Sequence, residues 1–166
     1  MATIARGGVT THTNGDLPPV GSVAPDFRLT NGDLNDVGLA DFAGKKKILY
    51  IVPSLDTPTC ARTTLRFNEA ATRLANTIIL IASADLPFAQ KRFCTDKGTD
   101  NIVPLSMMRN RNFAKDYGVL IQDGPLAGIT ARALLVLDEA SKVLYSELVG
   151  DIRDEPDIDS ALKLVN

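Results

Sequence analysis

The sequence predicts an α/β fold in which helices flank a central mixed β-sheet, and two observations support this prediction. Apolar, β-branched segments at 48–52, 77–82 and 102–105 alternate with segments of helical periodicity. Two further apolar segments, 133–137 and 142–148, are separated by a short polar turn, which predicts an antiparallel hairpin. Alternating strands and helices give a sheet covered on both sides, and the hairpin makes that sheet mixed.

Composition and charge narrow the class of protein. The chain has 166 residues, of which 45% are hydrophobic and 23% charged, so we expect one domain over residues 1–166 with a substantial core. The formal net charge of -2 argues against nucleic acid or an anionic membrane as the main partner. No apolar segment reaches the length of a membrane span, and the N-terminal residues lack the pattern of a secretion signal, so we expect a soluble cytoplasmic protein.

The first residues, 1–20, are predicted to form a β-hairpin extension of the fold. Thr3–Arg6 and Val9–His12 flank Gly7-Gly8, and a glycine pair between two such segments is typical of a tight hairpin turn. The elements predicted next are short strands at 27–29 and 34–37 and one helical turn at 39–42 that ends at Gly44.

Four helices are predicted to pack on the sheet, at 61–75, 85–98, 112–117 and 157–165. The apolar face of the first is made of residues at helical spacing, namely Ala61, Leu65, Phe67, Ala71 and Leu74. The second begins with Asp85 as its capping residue and Pro87 in its first turn. Pro104 cannot donate a strand hydrogen bond, so its strand is expected near a sheet edge. This order of elements is a thioredoxin-like architecture.

The segment Pro53–Cys60 joins an apolar strand to the first long helix and is the centre of the predicted site. It places Cys60 in the first helical turn, where backbone N–H groups have no partner within the helix. The helix dipole adds about half a positive charge at that end. Both effects favour the thiolate, which is the nucleophilic form of cysteine. The alternative is a buried and unreactive Cys60, which is the usual state of a free cysteine.

Cys94 is the second candidate thiol, and it lies on a different predicted helix from Cys60. The chain has no Cys-x-x-Cys, so the usual motif of a dithiol oxidoreductase is absent. A sulfenic acid on Cys60 would condense readily with another thiol, which makes Cys94 a candidate resolving cysteine. The spacing supports equally well the alternative that Phe88, Phe93 and Cys94 are the apolar face of a helix.

Two polar side chains are candidate partners of Cys60. The hydroxyl of Thr57 can donate and accept a hydrogen bond at an oxygen that approaches the sulfur, although helix capping is an alternative for Thr57 and is preferred for Thr59. Arg132 stands at the entry to an apolar strand and would supply a permanent positive charge, the alternative being a surface arginine at a strand end. His12 is the only histidine, so we expect neither a zinc site nor a histidine-activated cysteine.

Several long motifs resemble those of bacterial thiol peroxidases, a branch of the peroxiredoxins. Residues 53–61, PSLDTPTCA, resemble the peroxidatic motif of that family, and residues 83–94 resemble its resolving-cysteine helix. The other matching motifs lie at 117–119, 123–128 and 131–133, and the match extends from 24–27 to 155–157. Tyr50 and Lys91 depart from the residues typical of the family.

The resemblance implies a thioredoxin fold, a homodimer, no metal, haem or other cofactor, and the reduction of hydrogen peroxide and organic hydroperoxides. It implies that Cys60 is the peroxidatic cysteine and that Cys94 is the resolving cysteine of the same chain. Thioredoxin would reduce the resulting disulfide. Thr57, Arg132 and Pro58 would form the peroxide pocket, with Pro58 shielding the sulfur.

The sequence leaves two other functions open. The chain could be a peroxide-sensing thiol switch that passes oxidation to a partner protein, or a general disulfide oxidoreductase, against which the missing Cys-x-x-Cys argues. A disulfide needs Cα atoms within about 7 Å of each other. We therefore expect local unwinding at 57–62, at 86–98 or at both on oxidation. By analogy, the helix at 112–117 and the loop before Cys60 are candidates for the dimer surface.

Overall fold

The computed structural model describes residues 1–166. Its strands are β1 (Thr3–Arg6), β2 (Val9–His12), β3 (Leu29–Thr30), β4 (Asp36–Val37), β5 (Lys46–Ile51), β6 (Thr77–Ser83), β7 (Val103–Ser106), β8 (Ala133–Leu137) and β9 (Val143–Leu148). Its α-helices are α1 (Pro58–Ala71), α2 (Pro87–Lys97), α3 (Asn112–Asp116) and α4 (Ile158–Lys163), and one 3-10 turn covers Leu39–Phe42. None of these helices has the length and apolar character that crossing a bilayer requires.

Seven strands form one mixed sheet in the order β4-β3-β7-β6-β5-β8-β9. The strands β5, β6 and β7 are parallel neighbours, and the remaining pairs are antiparallel. The crossovers between the parallel strands contain α1 and α2, because parallel neighbours cannot be joined by a tight turn. The predicted mixed α/β sheet, the thioredoxin-like order of elements and the N-terminal hairpin of β1 and β2 are therefore confirmed.

Side chains that alternate along the central strands build two cores, one on each face of the sheet. On one face, Ile48, Tyr50 and Val52 pack with α1, α2 and α4. On the other face, Leu49 and Ile51 pack with α3, the 3-10 turn and the N-terminal hairpin. Nearly all of β5 is buried as a result, because its consecutive residues serve opposite cores.

Of the residues predicted for the apolar face of the first helix, Ala61, Phe67, Ala71 and Leu74 pack in the core, and only Leu65 does not. The helix begins at Pro58, and Cys60 points into the core. Residues three, four and seven positions after a buried helical residue share its face, and the structure accordingly buries Thr63, Thr64 and Phe67. Leu65 lies on the opposite side and is 40% exposed. The position of the cysteine thus sets the orientation of the helix, at the expense of an exposed leucine.

The strand β7 is the third strand from one edge of the sheet, so it lies near that edge but not at it. It pairs with β6 on one side and with β3 on the other. The contact with β3 is confined to the single pair of Thr30 and Ser106. Most of β7 therefore has no strand partner on that side. Pro104 is tolerated there because, as at a sheet edge, no neighbouring strand requires a hydrogen bond from the N–H group that proline lacks.

The N-terminal hairpin is packed onto the body of the protein. The strand β1 lies beside the segment that follows β9, where Ala5 exchanges backbone hydrogen bonds of 2.8 and 2.9 Å with Gly150 and Ile152. The strand β2 is held by Asp123, whose carboxylate accepts hydrogen bonds from the backbone and the ring of His12. The hairpin is therefore tied to two loops that come from distant parts of the chain.

We predict that the Asp123 carboxylate stabilises the docked hairpin at neutral pH. Hydrogen bonds from Thr11 and His12 lower the pKa of Asp123 from 3.8 to about 2. A carboxylate with a lowered pKa contributes stability above its unfolded pKa and loses that contribution as the pH falls through its folded pKa. Asp123→Asn should therefore accelerate amide hydrogen exchange in β1 and β2 at pH 7, as measured by mass spectrometry.

Asp33→Asn is the matched control, because Asp33 is exposed and lies far from the hairpin in the sequence. Equal exchange rates in the two variants would show that the carboxylate of Asp123 does not hold the hairpin. The wild-type protein should also lose stability to urea as the pH falls from about 4 to about 2, and Asp123→Asn should flatten this part of the profile.

Candidate active site

Cys60 is the third residue of α1 and lies at the N-terminal end of the helix, as predicted. Pro58 is the first helical residue, and Thr57 occupies the cap position. Thr59 does not cap the helix, because its hydroxyl donates to the Arg153 carbonyl at 2.8 Å. The backbone N–H groups of Thr59 and Cys60 donate no hydrogen bond within the protein. Free donors at a helix N-terminus stabilise negative charge, here that of a thiolate or of a peroxide oxygen.

Arg132 brings a buried positive charge to the sulfur. Its side chain belongs to a residue that is only 1% exposed, and its Nη1 lies 2.9 Å from Cys60 Sγ. Nε and Nη2 both donate to the Ile152 carbonyl, at 2.9 and 2.8 Å, and so fix the plane of the guanidinium. The alternative of a surface arginine is therefore wrong. A guanidinium held at this distance forms a charge-assisted hydrogen bond to a thiolate.

Tyr50 completes the arrangement around the guanidinium, although it was not among the predicted site residues. Its hydroxyl accepts a 2.8 Å hydrogen bond from Arg132 Nη1, so that one nitrogen contacts both the phenol and the sulfur. The Tyr50 ring is fully buried and packs on Phe67, with ring centroids 5.3 Å apart. The sequence held a signal for this contact, because a tyrosine in an aliphatic buried strand needs a partner for its hydroxyl.

The protonation states of these groups follow from their surroundings. Burial raises the pKa of Tyr50 to about 12, against the opposing effect of Arg132, so the phenol is neutral at physiological pH. Burial also works to lower the pKa of Arg132, but the neighbouring Tyr50 and Cys60 outweigh burial and raise that pKa above its ordinary value. The guanidinium is therefore charged at every pH at which the protein functions.

A cavity of about 460 Å³ opens beside this cluster. Its lining residues are Arg6, Pro53, Ser54, Thr57, Pro58, Thr59, Leu126, Ile129, Arg132, Ile152 and Arg153. Three of the predicted pocket residues, Thr57, Pro58 and Arg132, thus share one cavity. The Thr57 hydroxyl donates to the Ser54 carbonyl at 3.0 Å, which leaves its oxygen free to accept a hydrogen bond from a ligand.

The sulfur itself lies behind the wall of this cavity. Cys60 is 0% exposed and does not line the cavity, whereas Arg132, which contacts the sulfur, does. Direct access of a ligand to the sulfur is therefore absent in this conformation. A small molecule in the cavity therefore meets Thr57 and Arg132 before it reaches the sulfur.

Asp85 fixes the loop that precedes Cys60. Its carboxylate accepts hydrogen bonds of 2.7 and 2.8 Å from Ser54 Oγ and from the N–H of Leu55. The prediction that Asp85 caps α2 is wrong, because Leu86 occupies the cap position and no side chain caps the helix. The carboxylate instead connects the ends of two neighbouring strands, β5 and β6, at the edge of the sheet where the site lies.

Cys94 lies in the later part of α2 and does not line the cavity. Burial raises the pKa of Cys94, and a hydrogen bond with Thr99 only partly offsets this effect. Phe88 is 66% exposed whereas Phe93 is buried, so Phe88, Phe93 and Cys94 do not form one apolar face. Both Cys60 and Cys94 are free thiols. The structure thus brings Cys60, Thr57, Pro58 and Arg132 together and keeps Cys94 apart from them.

Comparison with known proteins groups the chain with a family of redox enzymes. Residues 19–162 match the family model described as Redoxin. The chain is 46% identical over 156 residues to a thiol peroxidase from Corynebacterium glutamicum, covering 94% of each protein. A peroxiredoxin-like protein from Aquifex aeolicus superposes with a TM-score of 0.93 at 36% identity, covering 99% of this chain and 96% of that one. A thiol peroxidase from Chromobacterium violaceum superposes with a TM-score of 0.89 at 30% identity, covering 98% and 94%.

We predict that Tyr50→Phe destabilises the folded protein by about 1–3 kcal/mol, because Nη1 of the buried Arg132 loses an acceptor. The substitution keeps the ring and its packing on Phe67, so the loss reports the hydrogen bond. Urea unfolding measures it, with Tyr145→Phe as the control, because Tyr145 bonds the partly exposed Glu147 at 3.2 Å. A loss no larger than that of the control would contradict the importance of the buried contact.

Proposed function

Because this chain belongs to the Redoxin family and is a thiol peroxidase of the peroxiredoxin type, we propose that it reduces hydrogen peroxide and organic hydroperoxides through a sulfenic acid on Cys60. Cys94 then resolves the sulfenic acid to an intramolecular disulfide, and thioredoxin recycles the enzyme. The observation that supports this most strongly is the 2.9 Å contact between Arg132 Nη1 and Cys60 Sγ at a helix N-terminus with free N–H donors.

In the first step, the thiolate of Cys60 attacks one oxygen of the hydroperoxide. The S–O bond forms as the O–O bond breaks, and the sulfur loses two electrons. The departing hydroxide or alkoxide takes up a proton and leaves as water or an alcohol. Arg132 and the free N–H groups lie where this charge moves, and Thr57 can orient the second oxygen. Positioned donors of this kind each contribute about 2.7–4 kcal/mol to transition-state stabilisation in other enzymes.

The second step requires movement, because the two cysteines are staggered along neighbouring helices. The helices α1 and α2 follow the parallel strands β5 and β6, and Cys60 is the third residue of α1 whereas Cys94 is the eighth of α2. A difference of five residues is about 7.5 Å along the helix axes. Packed helices are separated by a further 8–10 Å or so. Since a disulfide tolerates a Cα separation of about 7 Å, the first turn of α1, the helix α2 or both must unwind locally.

The cycle then closes through two exchanges. The Cys94 thiol condenses with the Cys60 sulfenic acid, which forms the disulfide and releases water. The two thiols of thioredoxin supply two electrons, restore both cysteines and leave thioredoxin as a disulfide. In the intervening state Pro58, in the cavity wall, shields the oxidised sulfur from solvent. Because each cycle starts from two free thiols, we propose that the enzyme works in the reducing environment of the cytoplasm.

We also propose that the enzyme is a homodimer, formed through a mainly apolar groove of about 480 Å³ beside α3. The groove is lined by Ala84, Leu86, Met107, Met108, Arg111, Ala114, Lys115, Leu120, Gly128, Ile129 and Thr130. It includes part of the helix that sequence analogy suggested for the dimer surface. The loop before Cys60, the other candidate, lines the cavity beside Arg132. An apolar groove of this kind is typical of a surface that a second subunit covers.

We predict that Cys60→Ser abolishes peroxide consumption in the presence of thioredoxin and thioredoxin reductase, because only this sulfur contacts Arg132. Cys94→Ser should keep the first, stoichiometric oxidation of Cys60 and lose thioredoxin-driven turnover. Peroxide loss and NADPH oxidation, followed in parallel, measure the two steps separately.

Three outcomes would count against parts of this cycle. Normal turnover by Cys94→Ser would exclude Cys94 as the resolving residue. A wild-type protein that is oxidised once but not recycled by thioredoxin would favour a peroxide-sensing thiol switch. Reduced and oxidised structures that superpose at 57–62 and at 86–98 would refute the local unwinding.

We predict that Leu86→Lys shifts the protein from dimer to monomer, because a lysine in the apolar groove would have to be buried without a partner. Leu86 is 52% exposed, so the substitution leaves the core of each subunit intact. Sedimentation equilibrium measures the mass, with Val20→Lys as the control at a residue that is 64% exposed outside the groove. A dimer that persists in Leu86→Lys would place the interface elsewhere.

A further inference from the structure

A chain of hydrogen-bonded polar side chains joins the loop before Cys60 to the helix that carries Cys94. Its central member is Asp85, which follows β6. Oδ1 of Asp85 accepts a 2.7 Å hydrogen bond from Ser54 Oγ, and Oδ2 accepts one of 2.8 Å from the Leu55 N–H. The carboxylate thus holds two consecutive residues of the loop that leads into the first turn of α1.

The same carboxylate is connected to α2 through one serine. Ser83 Oγ donates to Asp85 Oδ2 at 2.8 Å and accepts a 3.0 Å hydrogen bond from Gln90 Nε2. Gln90 is the fourth residue of α2, and its Nε2 also donates to the Leu105 carbonyl at 2.9 Å. Ser83 and Gln90 are fully buried, so water does not compete for these bonds.

This polar chain, Ser54–Asp85–Ser83–Gln90, reaches both cysteine segments. Gln90 and Cys94 are neighbours on one face of α2, because they are four positions apart on a helix. Hydrogen bonds to an ionised carboxylate are stronger than those between neutral groups, so the bonds at Asp85 are the strongest in the polar chain. Movement of either cysteine segment therefore strains or breaks bonds that also hold the other.

One acceptor of the polar chain has no partner in this closed conformation. Oε1 of Gln90 is buried and accepts no hydrogen bond within the protein. A buried acceptor without a donor costs stability, and exposure of the group to water removes that cost. No side chain caps α2 either. The start of α2 is therefore less stable than a fully bonded helix start, which favours unwinding at this end.

We propose that Asp85 is a positioning residue that makes the two cysteine segments open together. The inference rests on the proposed peroxidase function and adds to it the control of the second step. While the polar chain is intact, the loop is held and Cys60 stays beside Arg132. Release of the Asp85 carboxylate frees the loop and the start of α2 in one event, so both cysteines become mobile at the same time.

The opening decides between two fates of the sulfenic acid on Cys60. In the open state, the thiol of Cys94 attacks the sulfenic sulfur, the S–S bond forms and water leaves. In the closed state, a second hydroperoxide oxidises the sulfenic acid to a sulfinic acid and is itself reduced to water or an alcohol. The strength of the polar chain thus sets the ratio of disulfide to sulfinic acid.

The test follows both oxidation steps in the wild type and four variants. Asp85→Asn keeps the shape of the side chain but replaces one accepting oxygen by an N–H donor. Gln90→Met breaks the other end of the polar chain at similar volume, and a double variant combines the two. Asp41→Asn is the matched control, because Asp41 also accepts a backbone N–H, that of Gly38 at 2.7 Å, but lies in the 3-10 turn on the opposite face of the sheet.

Each protein is mixed with hydrogen peroxide and quenched in acid, and intact-protein mass spectrometry gives the fractions of thiol, sulfenic acid, disulfide and sulfinic acid. Asp85→Asn should convert sulfenic acid to disulfide about five- to tenfold faster than the wild type, as expected when a bond that stabilises the closed state is lost. The sulfinic acid formed in excess peroxide should fall by a similar factor. Thiol oxidation should change by less than about twofold, because the closed state remains the major one.

The double variant measures the coupling between the two segments. If one polar chain holds both, a second break adds little, so the double variant should form disulfide within about twofold of the faster single variant. Hydrogen exchange gives a second readout, since Asp85→Asn should accelerate exchange at 87–97 and Gln90→Met at 54–62. If Gln90→Met does not fold, Ser83→Ala breaks the same link through the loss of one oxygen atom.

Two results would overturn the role of Asp85 and leave the peroxidase function intact. One is disulfide formation in Asp85→Asn that is no faster than in Asp41→Asn, including the case in which both steps slow alike. The other is a double variant in which the two single effects multiply, which would show that the segments open independently. A wild type that is not oxidised at Cys60, or that forms no disulfide with Cys94, would instead refute the proposed function on which the inference rests.

Discussion

The structure depends on keeping one arginine charge buried beside one sulfur. Removing a guanidinium from water is costly unless its N–H donors find acceptors, and three acceptors serve Arg132. The Ile152 carbonyl, just beyond β9, accepts from Nε and Nη2. The Tyr50 hydroxyl from β5 and the sulfur of Cys60 from α1 share Nη1. Three segments, two of which are 72 and 82 positions from Arg132, must therefore be placed accurately before the sulfur has its charged partner.

The first turn of α1 serves two opposing requirements. Burial of Cys60 brings the sulfur against Arg132, but the same burial closes it to a ligand in the adjoining cavity. This turn begins with Pro58, and the N–H groups of Thr59 and Cys60 are unbonded, so neither residue holds the turn closed through its backbone donor. Segments that move during function are drawn from the less stable parts of a fold. The unbonded N–H groups that stabilise negative charge at the sulfur thus also leave the first turn of α1 with fewer backbone hydrogen bonds to oppose its movement.

Much of this could be predicted from the sequence, because it depends on short-range patterns. Apolar periodicity predicted the mixed sheet and its helices, and Gly7-Gly8 predicted the hairpin. A strand followed by prolines and then by helical periodicity was enough to place Cys60 at a helix N-terminus. Arg132 was recognised because a charged residue at the entry to an apolar strand needs a reason to be there. Tyr50 gave the same kind of signal, yet the sequence did not indicate the partner of its hydroxyl.

The contacts that the sequence did not predict join residues far apart in the chain. Tyr50 and Arg132 are 82 positions apart, and Ser54 and Asp85 are 31 apart. The position of Arg6 at the cavity likewise depends on how the hairpin docks against loops near the other end of the chain. By itself the sequence determined the fold class and the residue types able to do this chemistry. Only the tertiary structure decided which side chains meet, because their separations are set by the packing of sheet, helices and loops, which no local pattern encodes.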